Sequence, residues 1–140
     1  MKQDYLSLIK SEFAIPDVDI RTYSPLALAY IGDSIFQAII CTIIVGQGNS
    51  GSHDLHQQVI KYVNAGAQAA LIEALLPDLT DEELTIYKRG RNAKSANVAK
   101  NATIQEYRKA TGFEALIGYL YLQANMERVI ELLKKGLRLI

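Results

Sequence analysis

The run Ser24-Pro25-Leu26-Ala27-Leu28-Ala29-Tyr30-Ile31-Gly32-Asp33-Ser34-Ile35-Phe36 opens the most apolar stretch of the chain, which continues to about Val45. Serine followed by proline is a helix start: the hydroxyl caps free backbone N–H groups and the proline ring already holds a helical φ. The helix then runs to about Val45 and ends in the loop GQGNSGS. Residues 34–52 carry no charge, and about 20 apolar residues suffice to cross a bilayer. Three features argue against that use and for a central helix inside a helical domain, with no membrane partner. Asp33 lies within the stretch, Gln37, Thr42, Gln47 and Asn49 dilute it, and no Lys/Arg cluster flanks it.

Outward from this helix, no strand-like alternation occurs, and proline stands only at positions 16, 25 and 77. Residues 2–13 read as a short amphipathic helix with Tyr5, Leu6, Ile9 and Phe13 on one side, followed by a connector from Pro16 to Tyr23. Asp4, Lys10 and Glu12 exclude a signal-peptide reading of this region. Leu55, Val59, Val63, Ala67, Ala70 and Ala74 recur at helical spacing and predict one helix over roughly 53–75, stopped by Pro77. Thr80 and Glu83 form a capping box for a helix reaching about Arg89. Residues 90–102 read as a loop or broken helix, 103–110 as short helical pieces, 112–123 as a helix, and 126–139 as a last helix capped by Asn125. The expectation is an all-α fold in a single domain over 1–140.

The chain is 49% hydrophobic and 21% charged, which excludes a disordered chain. Cys41 is the only cysteine, so no intramolecular disulfide or thiolate metal cluster can form; a reducing compartment fits, and Cys41 is expected in the core. Fifteen basic and fifteen acidic residues give a net charge of zero, which argues against binding nucleic acid by bulk positive charge. The distribution says otherwise. Residues 1–83 carry 4 basic and 11 acidic groups, and residues 84–140 carry 11 basic and 4 acidic. Segment 88–109 is the densest, with Lys88, Arg89, Arg91, Lys94, Lys100, Arg108 and Lys109 against Glu106 alone. A charge run is ordinarily a solvated face. Here the cations alternate with Gly, Asn and Ser rather than with acids, which favours an anion-binding surface.

Two acids stand where a charge is costly. Asp33 interrupts LALAYIGDSIFQAII and Glu114 interrupts GFEALIGYLYL. A buried salt bridge, with Arg91 or Lys94 as candidate partner, or a hydrogen-bonded polar group is the plain explanation. The alternative is a carboxylate pair that repels unless a hard divalent cation lies between its members. Gly32 and Gly118 beside the two acids permit a close helix approach. Other constellations are weaker. His53 and His56, three apart, lack a carboxylate to complete a metal site and read as surface histidines. No nucleophile elbow, phosphate-binding loop or dinucleotide fingerprint is present. Tyr30, Tyr119 and Tyr121 fit helix packing better than base stacking.

At these two acids the sequence resembles a known family. Leu28-Ala29-Tyr30-Ile31-Gly32-Asp33-Ser34-Ile35-Phe36 resembles the signature helix of ribonuclease III, and Phe113-Glu114-Ala115-Leu116-Ile117-Gly118-Tyr119-Leu120-Tyr121-Leu122 resembles its second signature. Their order and their separation of about 80 residues fit as well. Ribonuclease III carries a glutamate four residues before the signature aspartate, where this chain has Ala29, and an aspartate three residues before the second glutamate, where it has Thr111. PLALAYIGD (25–33), YVNAGAQA (62–69), RGRNAKS (89–95) and TGFEALIGYLYL (111–122) look instead like the mini-ribonuclease III branch, which lacks a double-stranded-RNA-binding domain. A sequence ending at Ile140 agrees with that expectation.

The resemblance implies a ribonuclease III-like helical endonuclease domain acting as a homodimer on double-stranded RNA. It also implies dependence on Mg²⁺ and a role in maturing the ends of the 23S ribosomal RNA precursor in the bacterial cytoplasm. It makes Asp33 the central catalytic carboxylate and Glu114 its metal-binding partner, and leaves the number of ions open. Arg89, Arg91, Asn92 and Lys94 become the candidate RNA contacts. A ribosomal protein is a possible helper in substrate choice. The rival readings are a silent RNA-binding or ribosome-assembly dimer on the same fold, and a helical interaction protein whose acids are structural.

Overall fold

The structure, a computed structural model, describes residues 4–94 and 102–139. Among them are seven α-helices: α1 Tyr5–Glu12, α2 Pro25–Gln47, α3 Ser52–Val63, α4 Ala65–Leu75, α5 Asp81–Asn92, α6 Ile104–Leu122 and α7 Met126–Leu139. The all-α expectation holds, and no strand occurs among the described residues.

α2 begins as its sequence dictates, with the Ser24 hydroxyl accepting from the Ala27 N–H at 3.1 Å. Its buried residues Leu28, Gly32, Phe36, Ile40 and Ile44 recur every four positions and make one stripe. That stripe packs on α6, the most buried helix of the fold, which also meets α4, α5 and α7. Phe36 meets Phe113 edge to face, with centroids 5.0 Å apart and planes at 88°. By length and composition α2 could cross a bilayer. In this fold one side of it serves α6, and an adjoining side carries a second apolar stripe that lines a groove.

Several boundaries differ from the sequence reading, each for a local reason. The single helix expected over 53–75 is two, turned by 44° at Asn64. Asn64 serves both: its Nδ2 donates to the Ile60 carbonyl at 2.9 Å, and its Oδ1 accepts from the Ala67 N–H at 2.8 Å. The pieces expected at 103–110 and 112–123 are one continuous α6. It starts at a second capping box, Thr103 with Glu106, and passes straight through Gly112. That glycine is a packing device rather than a breaker, since a Cβ there would lie 2.7 Å from the Tyr87 ring of α5. α5 extends to Asn92, past the expected end at Arg89, so Arg89, Arg91 and Asn92 belong to its last turn and not to a loop. Ser95 and Lys100, with most of the loop expected over 90–102, lie outside the described residues.

Two core expectations are overturned. Cys41 is exposed, and Tyr30 is 82% exposed, because both point off the stripe that faces α6. Tyr119 and Tyr121 are buried as expected. Asn125 caps α7 through the Arg128 N–H. Arg128 then forks onto the Glu83 carboxylate at 2.8 Å, tying α7 to the capping box of α5. This guanidinium holds the buried Glu83 below the usual carboxylate range.

Candidate active site

The crossing of α2 and α6 is made by two glycines acting on each other's helix. A Cβ at Gly32 would fall 1.7 Å from the Glu114 carbonyl oxygen, and one at Gly118 would fall 2.0 Å from that of Leu28. Backbone therefore touches backbone. Asp33 follows one glycine, and Glu114 sits on the turn that the glycine abuts. The two acids that the sequence placed 81 residues apart are thus brought together.

Their surroundings set their chemistry. Asp33 and Glu114 are both half-buried and so remain reachable from solvent. Burial raises the Glu114 carboxyl to about 8, reinforced by the charge of Asp33 and a hydrogen bond with it, and opposed in part by an N–H from Gln68. Asp33 accepts from Gln37 Nε2 at 3.0 Å. Among the described residues neither acid makes an ion pair, so the salt-bridge explanation by Arg91 or Lys94 fails, while both acids do accept a side-chain hydrogen bond, Asp33 from Gln37 and Glu114 from Gln68. Arg91 instead lies over the Tyr87 ring, 5.7 Å from its centroid, and donates to Asn92 Oδ1 at 3.2 Å.

The donor set suits a hard divalent cation: two carboxylates side by side, no basic partner among the described residues, and an opening to water. No group of three or more His, Cys, Asp or Glu gathers among the described residues, so a cation held here would keep several of its own waters. Ala29 and Thr111 are both buried, and the Thr111 hydroxyl donates back to the Tyr107 carbonyl at 3.0 Å. Neither adds an oxygen to the pair. His53 and His56 are exposed on α3, as the sequence reading had them.

Gln68 is a member of the site that sequence reasoning missed. It is 2% exposed and belongs to α4, and its Nε2 lies 3.4 Å from Glu114 Oε2. The signal was present in the sequence: a long polar amide amid AGAQAALIEAL, at a position that helical spacing turns inward.

The basic candidates lie close by. Gly90, in the last turn of α5, packs on Ala115 and Gly112 of α6, where a Cβ would fall 2.7 and 2.9 Å from them. The end of α5 therefore borders the turn that carries Glu114. Arg89, Asn92 and Lys94 are exposed there and Arg91 is half-buried. Lys88 and Arg108 are also exposed, whereas Lys109 is committed to Glu73 at 2.8 Å.

Comparison with known proteins agrees with this architecture. Residues 26–125 match the model of the ribonuclease III domain. The chain is 48% identical over 117 residues to Mini-ribonuclease 3 of Enterococcus faecalis, covering 82% of this chain and 89% of that protein. It is 39% identical over 140 residues to Mini-ribonuclease 3 of a Thermoanaerobacter species, covering 100% of this chain and 99% of the other. A crystal structure of a Fusobacterium nucleatum protein superposes with a TM-score of 0.78 at 32% identity, covering 87% of this chain and 98% of that one. The matched span includes both acids, the glycine contact that joins them and the basic end of α5, and on that ground the chain belongs to the ribonuclease III family, as an endoribonuclease of the Mini-ribonuclease 3 kind.

Proposed function

We propose that this endoribonuclease cuts double-stranded RNA with Mg²⁺ as its cofactor, and that its substrate is the 23S ribosomal RNA precursor in the cytoplasm. The observation that carries the metal reading is the pairing of Asp33 with Glu114 across the glycine contact, with no cation of the described chain to neutralise them. Binding alone does not need two acids forced together. Holding a divalent cation does.

Asp33 and Glu114 would hold the ion between α2 and α6. When bound, Mg²⁺ lowers the pKa of water and stabilises charge developing on a phosphate. The chain's own residues do the rest. The glycine crossing fixes the spacing of the acids. The exposed Arg89, Asn92 and Lys94 at the end of α5, with Arg91, offer cations and donors to phosphates of the duplex. Duplex RNA is met largely through its backbones and shape, and this arrangement suits that mode. Hydrolysis would leave 5′-phosphate and 3′-hydroxyl ends.

A homodimer is the assembly the free face of α2 supports. Ile31, Ile35, Ile39 and Ile43 line an apolar groove of about 700 Å³, joined by Ile9 of α1 and Ile130 of α7. A second copy of the chain, meeting it about a twofold axis, would bury this face and set two sites on one duplex, one for each strand. A ribosomal protein remains the proposed helper in choosing the cut.

The test is a long RNA duplex incubated with the purified protein, with and without Mg²⁺, and again with Asp33→Asn. Cleavage that needs the ion and disappears in the variant is the expected result. Binding without cleavage would leave a silent RNA-binding dimer in its place.

A further inference from the structure

Gln68 is 2% exposed in α4, whose other buried residues are Ala69, Leu71, Ile72 and Leu75. Burying an amide in such company is costly unless its hydrogen bonds are made. Its Nε2 donates to the Val63 carbonyl at 2.9 Å and to Glu114 Oε2 at 3.4 Å. Both neighbours of the nitrogen are acceptors, which fixes which end of the amide is nitrogen. The first bond closes the end of α3 locally. The second reaches 46 residues along the chain to the acid on α6. The other end of the amide, Oε1, is buried and meets no donor among the described residues.

A donor to a buried carboxylate is commonly a cation, because charge-assisted bonds are the strong ones. Lysine or arginine at position 68 would orient Glu114 and also cancel its charge. The amide orients without cancelling. Its oxygen, buried without a donor among the described residues, is the kind of polar atom that calls for a reason.

We propose that Gln68 is a positioning residue for the carboxylate pair: its N–H holds Glu114 beside Asp33, and its neutrality leaves the charge of the pair to a divalent cation. This rests on the metal-dependent reading above and adds the group that prepares the site for the ion. Partners that orient metal ligands from behind typically change metal affinity by about tenfold to a hundredfold when removed.

The experiment compares wild-type protein with Gln68→Met and Gln68→Lys. Each is titrated with Mn²⁺ alone by calorimetry, melted in EDTA, and assayed on duplex RNA. Gln68→Met keeps the volume and loses the donor, so Mn²⁺ affinity falls by about tenfold or more. Gln68→Lys keeps donors for Val63 and Glu114, so its melting temperature in EDTA returns towards wild type while Mn²⁺ binding weakens further than in Gln68→Met. A residue that merely closes α3 gives the opposite pattern. Met then lowers melting alone and Lys binds Mn²⁺ like wild type, and that result overturns the proposal. Should the lysine variant fail to fold, Gln68→Asn, neutral but one methylene short of Glu114, is expected to bind Mn²⁺ more weakly than wild type; equal affinity overturns the proposal. Wild-type protein that neither binds Mn²⁺ nor cuts RNA overturns the metal reading itself. Wild-type protein that does both, with variants of unchanged Mn²⁺ affinity, overturns the role of Gln68 alone.

Discussion

Glu114 keeps its proton into the neutral range, and this has a measurable sign. Its carboxyl moves from an ordinary 4.5 to about 8 in the folded chain, first through burial and then through Asp33. Between those values the folded state binds a proton that the unfolded state has lost, so stability falls as pH rises through that window. Glu83, held low by Arg128, is already ionised across it and does not oppose the trend. The melting temperature in EDTA is therefore expected to drop from about pH 5 to about pH 8. Saturating Mg²⁺ should flatten the drop. Asp33→Asn should shrink it without abolishing it, because burial is the larger cause. A melting temperature flat in pH would contradict the position assigned to Glu114. At this scale the two acids were legible in the sequence, since each broke an apolar helix. Gln68 was less legible: its spacing with Leu71, Ile72 and Leu75 turns it inward, but a neutral amide in an apolar helix is a weaker anomaly than a charge.

Among the elements, α2 carries the most information. Its two apolar faces serve different ends: the stripe through Gly32 and Phe36 meets α6, and the stripe through Ile35 and Ile39 lines the groove. Gly32→Ala would drive a methyl into the Glu114 carbonyl, and an overpacked core of this kind costs about 3 kcal/mol. Denaturant unfolding should show that loss. Ala38→Glu tests the other face. Ala38 is exposed in this chain and lines the groove, so a charge there should spare the fold and release monomers in sedimentation. A variant that sediments like the wild type would place the dimer interface elsewhere. The start of α2 was readable from Ser24-Pro25, and the box at Thr80 from its spacing. The break at Asn64 and the unbroken α6 were missed for one reason. Asn64 caps rather than interrupts, and Gly112 packs rather than breaks, and both roles depend on the surrounding packing rather than on residue type.

For the whole molecule, zero net charge conceals a division between an acidic part holding Asp33 and a basic part holding Glu114 and the end of α5. If that end meets phosphates, RNA affinity falls with salt in proportion to the number of phosphates neutralised. Replacing Arg91 and Lys94 with alanine should lower the slope of log affinity against log salt by about one for each phosphate left without its cation. An unchanged slope would turn this surface away from RNA. The fold class and the family were both accessible before any coordinates, because the two signatures are long and ordered. The packing between them was not, since residue spacing along a chain does not reveal which helices touch.

The glycine crossing carries one last consequence. The reach between the two acids is inherited from main-chain atoms in van der Waals contact, with no side chain at either glycine to trim by degrees. Substitutions at the end of α5, or at Gln68 behind the acids, can therefore alter this enzyme by degrees, but the glycine crossing itself cannot be tuned that way. Even the smallest side chain there, a methyl, already collides with the main chain of the other helix.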